Sequence, residues 1–311
     1  MGKGIRIACA AFALVVLAAC NRGDDGEAAR KAAEAARAFA AHEKPWRDSR
    51  VADVNAPDGW TSLIGLLWLD RGSHYAGSAP GNGLLLSKGP PHLGMFDVDA
   101  NGHVRFVPEA GLALTLDGQR LSGATSLKTD RDPGGPSTIG FDDGKGKATI
   151  IKRGDRIALR VKHVDADARL HFKGIQYWPG GPDWTVQARY VPNPPGKTMP
   201  IVNIVNMVDQ VPNPGAIEFE RGGKPYRLEL LDQGEPTLFL VFADRTSGHG
   251  SYPAGRYLDL PRPGPDGRIT VDFNRVENPP CAFTAFATCP LAPAANRLDL
   301  AVEAGEKAYA H

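Results

Sequence analysis

Two neighbouring blocks hold most of the residues able to do chemistry. The first, VFADRTSGHGSYPAGRYL (Val241 to Leu258), follows an apolar run with Asp244, Thr246, Ser247, His249, Ser251, Tyr252 and Arg256 on a glycine-containing loop. The second, VDFNRVENPPCAFTAFATCP (Val271 to Pro290), alternates Asp272 and Asn274 with apolar Val271 and Phe273, then carries Asn278, Cys281 and Cys289. A thiol nucleophile requires a base within hydrogen-bond reach and donors for the developing oxyanion. Cys281 or Cys289, with His249 or Asp272 as base and Arg256 with Asn274 or Asn278 orienting a carbonyl, would supply a hydrolase-like reaction. The same neighbourhood also suits a pocket that only binds. Asp244, Thr246, Tyr252, Arg256, Asp272, Asn274, Asn278 and Glu306 offer donors and acceptors to a small polar ligand or to a segment of another envelope protein. A third use is architectural: Asp244 and Thr246 can satisfy turn amides, and Asn278 before two prolines sits in a rigid, extended turn.

No motif names the reaction. The chain has no G-x-S-x-G, no H-E-x-x-H, no phosphate loop and no dinucleotide fingerprint, and any cofactor is unknown from the sequence. Two cysteines eight positions apart lack the short C-x-x-C knuckle, and no histidine pair stands beside them at ligand spacing, so no metal is expected. A net charge of +1 without a basic stripe gives nucleic acid nothing to bind. Nothing in the sequence fixes an oligomeric state.

The N-terminus bears on the cysteines. MGKGIRIACAAFALVVLAAC sets Lys3 and Arg6 ahead of a short apolar run that ends in Leu17-Ala18-Ala19-Cys20. That pattern is an export signal, too short for a convincing membrane span, and its end resembles the bacterial lipobox. The expectation is a lipoprotein signal peptide over residues 1–19, with cleavage before Cys20 and acylation of its thiol. Lipid on Cys20 would hold the protein to the membrane at about 0.8 kcal/mol per buried methylene. Asn21 at the next position, by resemblance to Gram-negative lipoproteins, favours the outer membrane, with the protein facing the periplasm. Cys9 leaves with the signal and Cys20 is acylated, so Cys281 and Cys289 remain as a pair in a compartment where disulfides persist. A disulfide between them is expected.

The elements that must position these groups are mostly short strands. EAARKAAEAARAFAAHEK, Glu27 to Lys44, is built of strong helix formers with alanine as its main apolar residue, so it reads as a solvated helix that Pro45 ends. Residues 20–45 are thus a tether and helix. Beyond them, 46–311 reads as a single β-rich domain. Trp60 to Leu69 is apolar throughout and fits either a helix or a buried strand, with Trp46, Trp60 and Trp68 as core aromatics. Strands are predicted over Leu112–Leu116, Ala148–Arg153, Arg156–Lys162, Trp184–Val191, Tyr226–Leu231, Thr237–Ala243 and Arg268–Phe273. The arms around Gly154-Asp155 form the clearest hairpin. With 36 glycines and 26 prolines and no alternating helices, the fold expected is mainly β: an antiparallel β-sandwich or distorted barrel with an N-terminal helix.

Four stretches then acquire a common meaning. DGWTSLIGLLWLDRG, DRTSGHGSYPAGRYL, VDFNRVENPPCAFTAFATCPLAPAANRL and the closing VEAGEK resemble the signature segments of the bacterial and archaeal domain of unknown function 1684 family, from about Trp46 to Lys307. The resemblance places the family's recurring polar positions on Asp244, Thr246, Gly248, Tyr252, Arg256, Asp272, Asn274, Asn278, Cys281, Cys289, Asn296 and Glu306. Ser251 stands where the family has Thr, Val276 where it often has Ala, and Ala292 where it often has Pro. The family carries no assigned activity, so the resemblance implies a site without a reaction.

Overall fold

The computed structural model describes residues 15–310, with side chains at Glu27 and from residue 29 onwards. Residues 1–14 and the Cys20 side chain lie outside the described residues, and with them most of the expected signal peptide and the acylation site. The chain divides after Ser49 into an N-terminal unit and Arg50–His311.

A single long helix spans Val15–Val54. Its Glu27–Lys31 pair closes at 2.8 Å on an exposed face, as the four-residue spacing predicts. Pro45 lies inside the helix rather than ending it. An internal proline removes one backbone donor and typically costs about 3 kcal/mol. The turns after it are held by tertiary contacts: Arg50 donates to Glu306, and Val54 is fully buried with Ala282 and Phe283.

Everything after the helix is mainly β. The apolar run after Gly59 resolves into a short 3-10 turn, Trp60–Ser62, and the strand Leu63–Leu69. That strand opens a six-stranded sheet in the order Leu63–Leu69, Arg156–His163, Gly146–Arg153, Thr138–Phe141, Thr115–Leu116, Gln119–Arg120. The predicted hairpin forms as read, with Arg153 opposite Arg156. A five-stranded sheet (Leu84–Leu85, Gly72–Gly77, Gly94–Val98, Val104–Pro108, Thr125–Leu127) shares one core with it. Phe96, Phe106, Ile139, Ile150, Leu159 and Val161 fill that core, all fully buried. Each such side chain contributes roughly 1.5–3 kcal/mol by leaving water.

The second half has its own core around Leu228, Leu240, Phe242, Phe273 and Val302. A four-stranded antiparallel sheet (Lys224–Leu230, Gly215–Arg221, Thr185–Pro192, Arg268–Asp272) and the hairpin of Leu238–Phe242 with Arg256–Leu260 surround it. A further hairpin, Thr198–Val202 with Val208–Pro212, occupies what reads in sequence as proline-rich connection. Among the described residues no sheet closes on itself, so the layered arrangement holds and the distorted barrel does not.

The pleat decides what the six-stranded sheet presents away from its core. Ile157, Leu159 and Val161 point into the core, so Ala158, Arg160 and Lys162 project from the opposite face. Register puts Thr149 and Leu66 beside Arg160, and Ile151 and Trp68 beside Ala158. Ile151 and Ala158 on this second face are also buried. The face is therefore covered over part of its area, and a cavity opens beside it.

Candidate functional site

The polar positions read from the sequence separate into two groups in space. One is a buried network centred on Arg256, which is 1% exposed. Its Nη1 donates to the Ala304 carbonyl at 2.6 Å, and its Nη2 donates to the Val302 carbonyl at 2.8 Å and to Asp244 Oδ2 at 3.2 Å. Asp244 Oδ2 also accepts from the Val302 N–H at 2.7 Å, and Oδ1 accepts from Thr246 Oγ1 at 2.8 Å. Ser251 Oγ joins this group, 2.7 Å from Thr246 Oγ1 and accepting from Trp178 Nε1 at 2.9 Å. Burial pulls the Arg256 pKa down while Asp244 opposes it. The network clamps Val302–Glu306 against the core. It has no lining role in any substantial cavity described below.

Asp272 and Asn274 are likewise committed locally. The strand ends at Asp272, one residue earlier than predicted, because its carboxylate accepts from the Asn274 N–H and starts a 3-10 turn. Asn274 then exchanges two hydrogen bonds with the Gly181 backbone, at 2.9 and 3.0 Å. His249 is exposed, its Nδ1 lying 3.2 Å from the Ser247 carbonyl. Tyr252 donates to the Cys281 carbonyl at 3.2 Å. Among the described residues no hydrogen bond joins His249, Arg256 or Asn274 to either cysteine or to one another.

The cysteines are neighbours, but the expected disulfide is not present in the structure. Both are thiols, and the Cys281 N–H donates to Cys289 Sγ at 3.1 Å. The hydrogen bond from the Cys289 thiol lowers the Cys281 pKa, and the same contact together with burial raises that of Cys289.

The second group surrounds a cavity of about 1180 Å³. From the sequence-predicted residues only Asn278 and Cys289 line it. Arg153, Arg160 and Trp60 come from the sheet side, and Asn203, Tyr257 and Glu277 from the second half. Trp60 is thus a half-buried wall residue, and Trp68 is half-buried under Arg156 at 4.0 Å. Neither is a core aromatic as expected.

Arg50, at the end of the helix, ties the cavity to the C-terminal segment. Its Nε donates to Glu306 Oε1 at 2.8 Å, its Nη1 meets Glu277 Oε2 at 3.0 Å, and its Nη2 donates to the Asn278 carbonyl at 3.0 Å. Glu306, wholly buried, also accepts from the Asn278 N–H at 2.7 Å. Gly305 is needed just before it: φ is +74°, and a β-carbon there would lie 2.4 Å from the Val276 carbonyl oxygen.

One guanidinium between two carboxylates cannot neutralise both. Burial raises Glu306 despite Arg50, and burial pushes Glu277 up to about 7. The ordinary Glu277 value is 4.5. The folded chain therefore keeps this proton where the unfolded chain has lost it. The contribution is fully present below about pH 4.5 and lost as pH rises through about 7. Glu277→Gln should remove that decline, gaining about 1–2 kcal/mol at pH 8 relative to pH 4 after allowing for its partly solvated side chain. Urea unfolding at the two pH values measures it. Equal pH dependence in both proteins would show that Glu277 ionises normally.

Two arginines on the sheet side differ in their company. Arg153 is fully engaged, with Nη1 on Asp130 at 2.5 Å and Nε on Thr288 Oγ1 at 2.9 Å. Arg160 has no hydrogen bond from its guanidinium to any described residue, and its Nε is buried. Burial and the nearby Arg153 lower its pKa to about 10. Asn203 Nδ2, a donor, and Asn278 Oδ1, an acceptor, are two more buried atoms without a partner on cavity-lining residues. Sequence reasoning passed over Arg160, Asn203, Glu277 and Arg50. The only signal for Arg160 was its alternation with Ile157, Leu159 and Val161, which ordinarily marks a solvated face.

Residues 170–307 match the model of a family described as a protein of unknown function, DUF1684. The match does not extend back to Trp46, so the Trp60–Leu69 stretch lies outside it. The solution NMR structure of an uncharacterized protein from Haloarcula marismortui is 31% identical to this chain, covering 45% of it and 78% of the archaeal chain, with a TM-score of 0.37. No curated protein matches the chain. The Asp244–Arg256–Val302 clamp, the Asn278 turn and the thiol pair all fall inside the matched segment, and the chain belongs to the DUF1684 family through residues 170–307.

Proposed function

We propose that this protein is a binding protein of the cell envelope that takes a small polar ligand into the cavity between Arg160 and Asn278. One observation carries the reading. Three buried side-chain atoms without a partner among the described residues, Arg160 Nε, Asn203 Nδ2 and Asn278 Oδ1, belong to residues lining that cavity. Each buried polar atom left unmade costs about 1–3 kcal/mol, and native chains rarely keep several in one place without a partner to receive. A ligand with matching groups would repay that cost on binding. The hydrolase reading has less support, because of its residues only Cys289 reaches the cavity.

The envelope location rests on the sequence: a short apolar export signal ending in Leu17-Ala18-Ala19-Cys20. Among the described residues no helix is long and apolar enough to cross a membrane, so the anchor in this reading is lipid on Cys20 at the outer membrane. Purification of full-length protein from membranes, followed by native mass spectrometry, tests both parts. The expected result is an acyl mass on Cys20, absent and accompanied by release to the soluble fraction in Cys20→Ser, and a small molecule freed on denaturation. An unmodified Cys20 would remove the anchor, and a wild-type protein that never carries a molecule would remove the binding role.

A further inference from the structure

We propose that the cavity is an oxyanion site, with Arg160 as the anchor for a carboxylate or phosphate group of a small molecule that also carries a hydroxyl or N–H donor. This rests on the ligand-binding reading of the same cavity and names the class of ligand.

The inference begins with pairing rather than total charge. Positive and negative residues both line the cavity; Arg131, Lys152 and Glu235 are exposed at its rim, and of the less exposed basic groups Arg50 and Arg153 are already engaged. Arg50 holds Glu306 and Glu277, Arg153 holds Asp130, and Asp232 is held by Arg262 at 2.9 and 3.0 Å. Arg160 stands apart. The carboxylate that acts on it, Asp130, is the one Arg153 has taken, and Arg153 itself repels it. Its other neighbours are Cys289, Lys162 and the Trp60 ring, which lies 5.8 Å from its Cζ. A planar guanidinium beside an aromatic face, with its donors unused, suits bidentate capture of a carboxylate or phosphate. Asn203, 3% exposed, adds the unused donor Nδ2. Its Oδ1 is occupied by the N–H groups of Val205 and Met207, which fix the side chain.

Asn278 gives the ligand its second feature. Its Nδ2 is taken by the Lys307 carbonyl at 2.6 Å, so the side chain cannot turn to offer a donor inward. Oδ1 is therefore an acceptor, and it can be satisfied only by a hydroxyl or N–H. A bare oxyanion would leave it unmet; a hydroxy acid, an amino acid or a phosphate ester with a free hydroxyl would not.

The test uses thermal unfolding of the full chain at constant ionic strength, with inorganic phosphate, acetate and glycolate as separate probes against chloride. The wild-type protein should be stabilised by phosphate and acetate, and glycolate should bind several-fold more tightly than acetate. Arg160→Met should abolish the response to all three while melting no lower than wild type without probe, since it removes an unpaired buried cation. Arg160→Lys should retain part of it. No stabilisation of the wild type by any probe, or an equal response in Arg160→Met, would overturn the assignment. Failure of the inference and of the reading beneath it look different. A neutral molecule retained equally by wild type and Arg160→Met would leave the cavity as a binding site and sink the oxyanion. Absence of both a retained molecule and any probe response would sink both.

Discussion

Asp244→Ala should destabilise the folded protein by about 3–5 kcal/mol, the range for removing one partner of a buried ion pair. Asp244 serves three groups at once: Arg256 Nη2, the Val302 N–H and Thr246 Oγ1. With the carboxylate gone, Arg256 keeps its carbonyl contacts but loses the carboxylate it pairs with, at a position with almost no solvent. The Val302 N–H loses its partner as well, and the segment leading to Glu306 loosens. Because Glu306 in turn holds Arg50 and the Asn278 N–H, damage should spread to the cavity wall. Guanidinium unfolding of Asp244→Ala and Arg256→Ala measures this. Both variants should lose stability before any question of ligand arises. Wild-type stability in either would return these residues to the list of ligand contacts.

Asn296→Ala should cost about 2–4 kcal/mol, from buried backbone groups left unmade at about 1–3 kcal/mol each. Asn296 is fully buried and acts as a piece of β-ladder. Its Oδ1 accepts from the Glu229 N–H at 2.7 Å, and its Nδ2 donates to the carbonyls of Glu229 and Val241, both at 2.9 Å. Those carbonyls lie on Lys224–Leu230 and Leu238–Phe242, strands from different sheets, so the side chain ties the edges of two sheets together. Asn296→Asp should fall as far, because it keeps the acceptor and loses both donors while adding charge. Chemical denaturation of the two variants decides the point. Tolerance of Asp would mean that the two carbonyls find water.

The contrast between these residues and the cavity explains what the sequence could and could not reveal. Alternation was legible wherever one face meets a core, and the hairpin around Gly154-Asp155 appears with its arms as read. Thr198–Val202 and Val208–Pro212 were missed because proline and asparagine mark them as loop, yet the hairpin tolerates proline at positions 200 and 212. The dense polar blocks drew attention as a site. Composition cannot tell whether an Asp–Arg pair faces a ligand or a neighbouring carbonyl, and here the carbonyls of residues 302–306 take Arg256. Asn278 was recognised from its rigid turn. Arg160 was not, because its significance comes from what the second half of the chain lays over its sheet, more than a hundred residues away from Asn278.

The cavity is built from both sides of the family boundary at residue 170. Asn203, Glu277 and Asn278 belong to the matched segment, whereas Trp60, Arg153 and Arg160 come from before it. Under the proposed binding role, a relative that shares only the later segment would keep Asn203, Glu277 and Asn278 without Arg160. In this chain the first sheet supplies Arg153 and Arg160 to the cavity wall. Under that role, a change at Arg160 would alter ligand preference while leaving the Asp244–Arg256 clamp untouched, because the two share no hydrogen bond among the described residues.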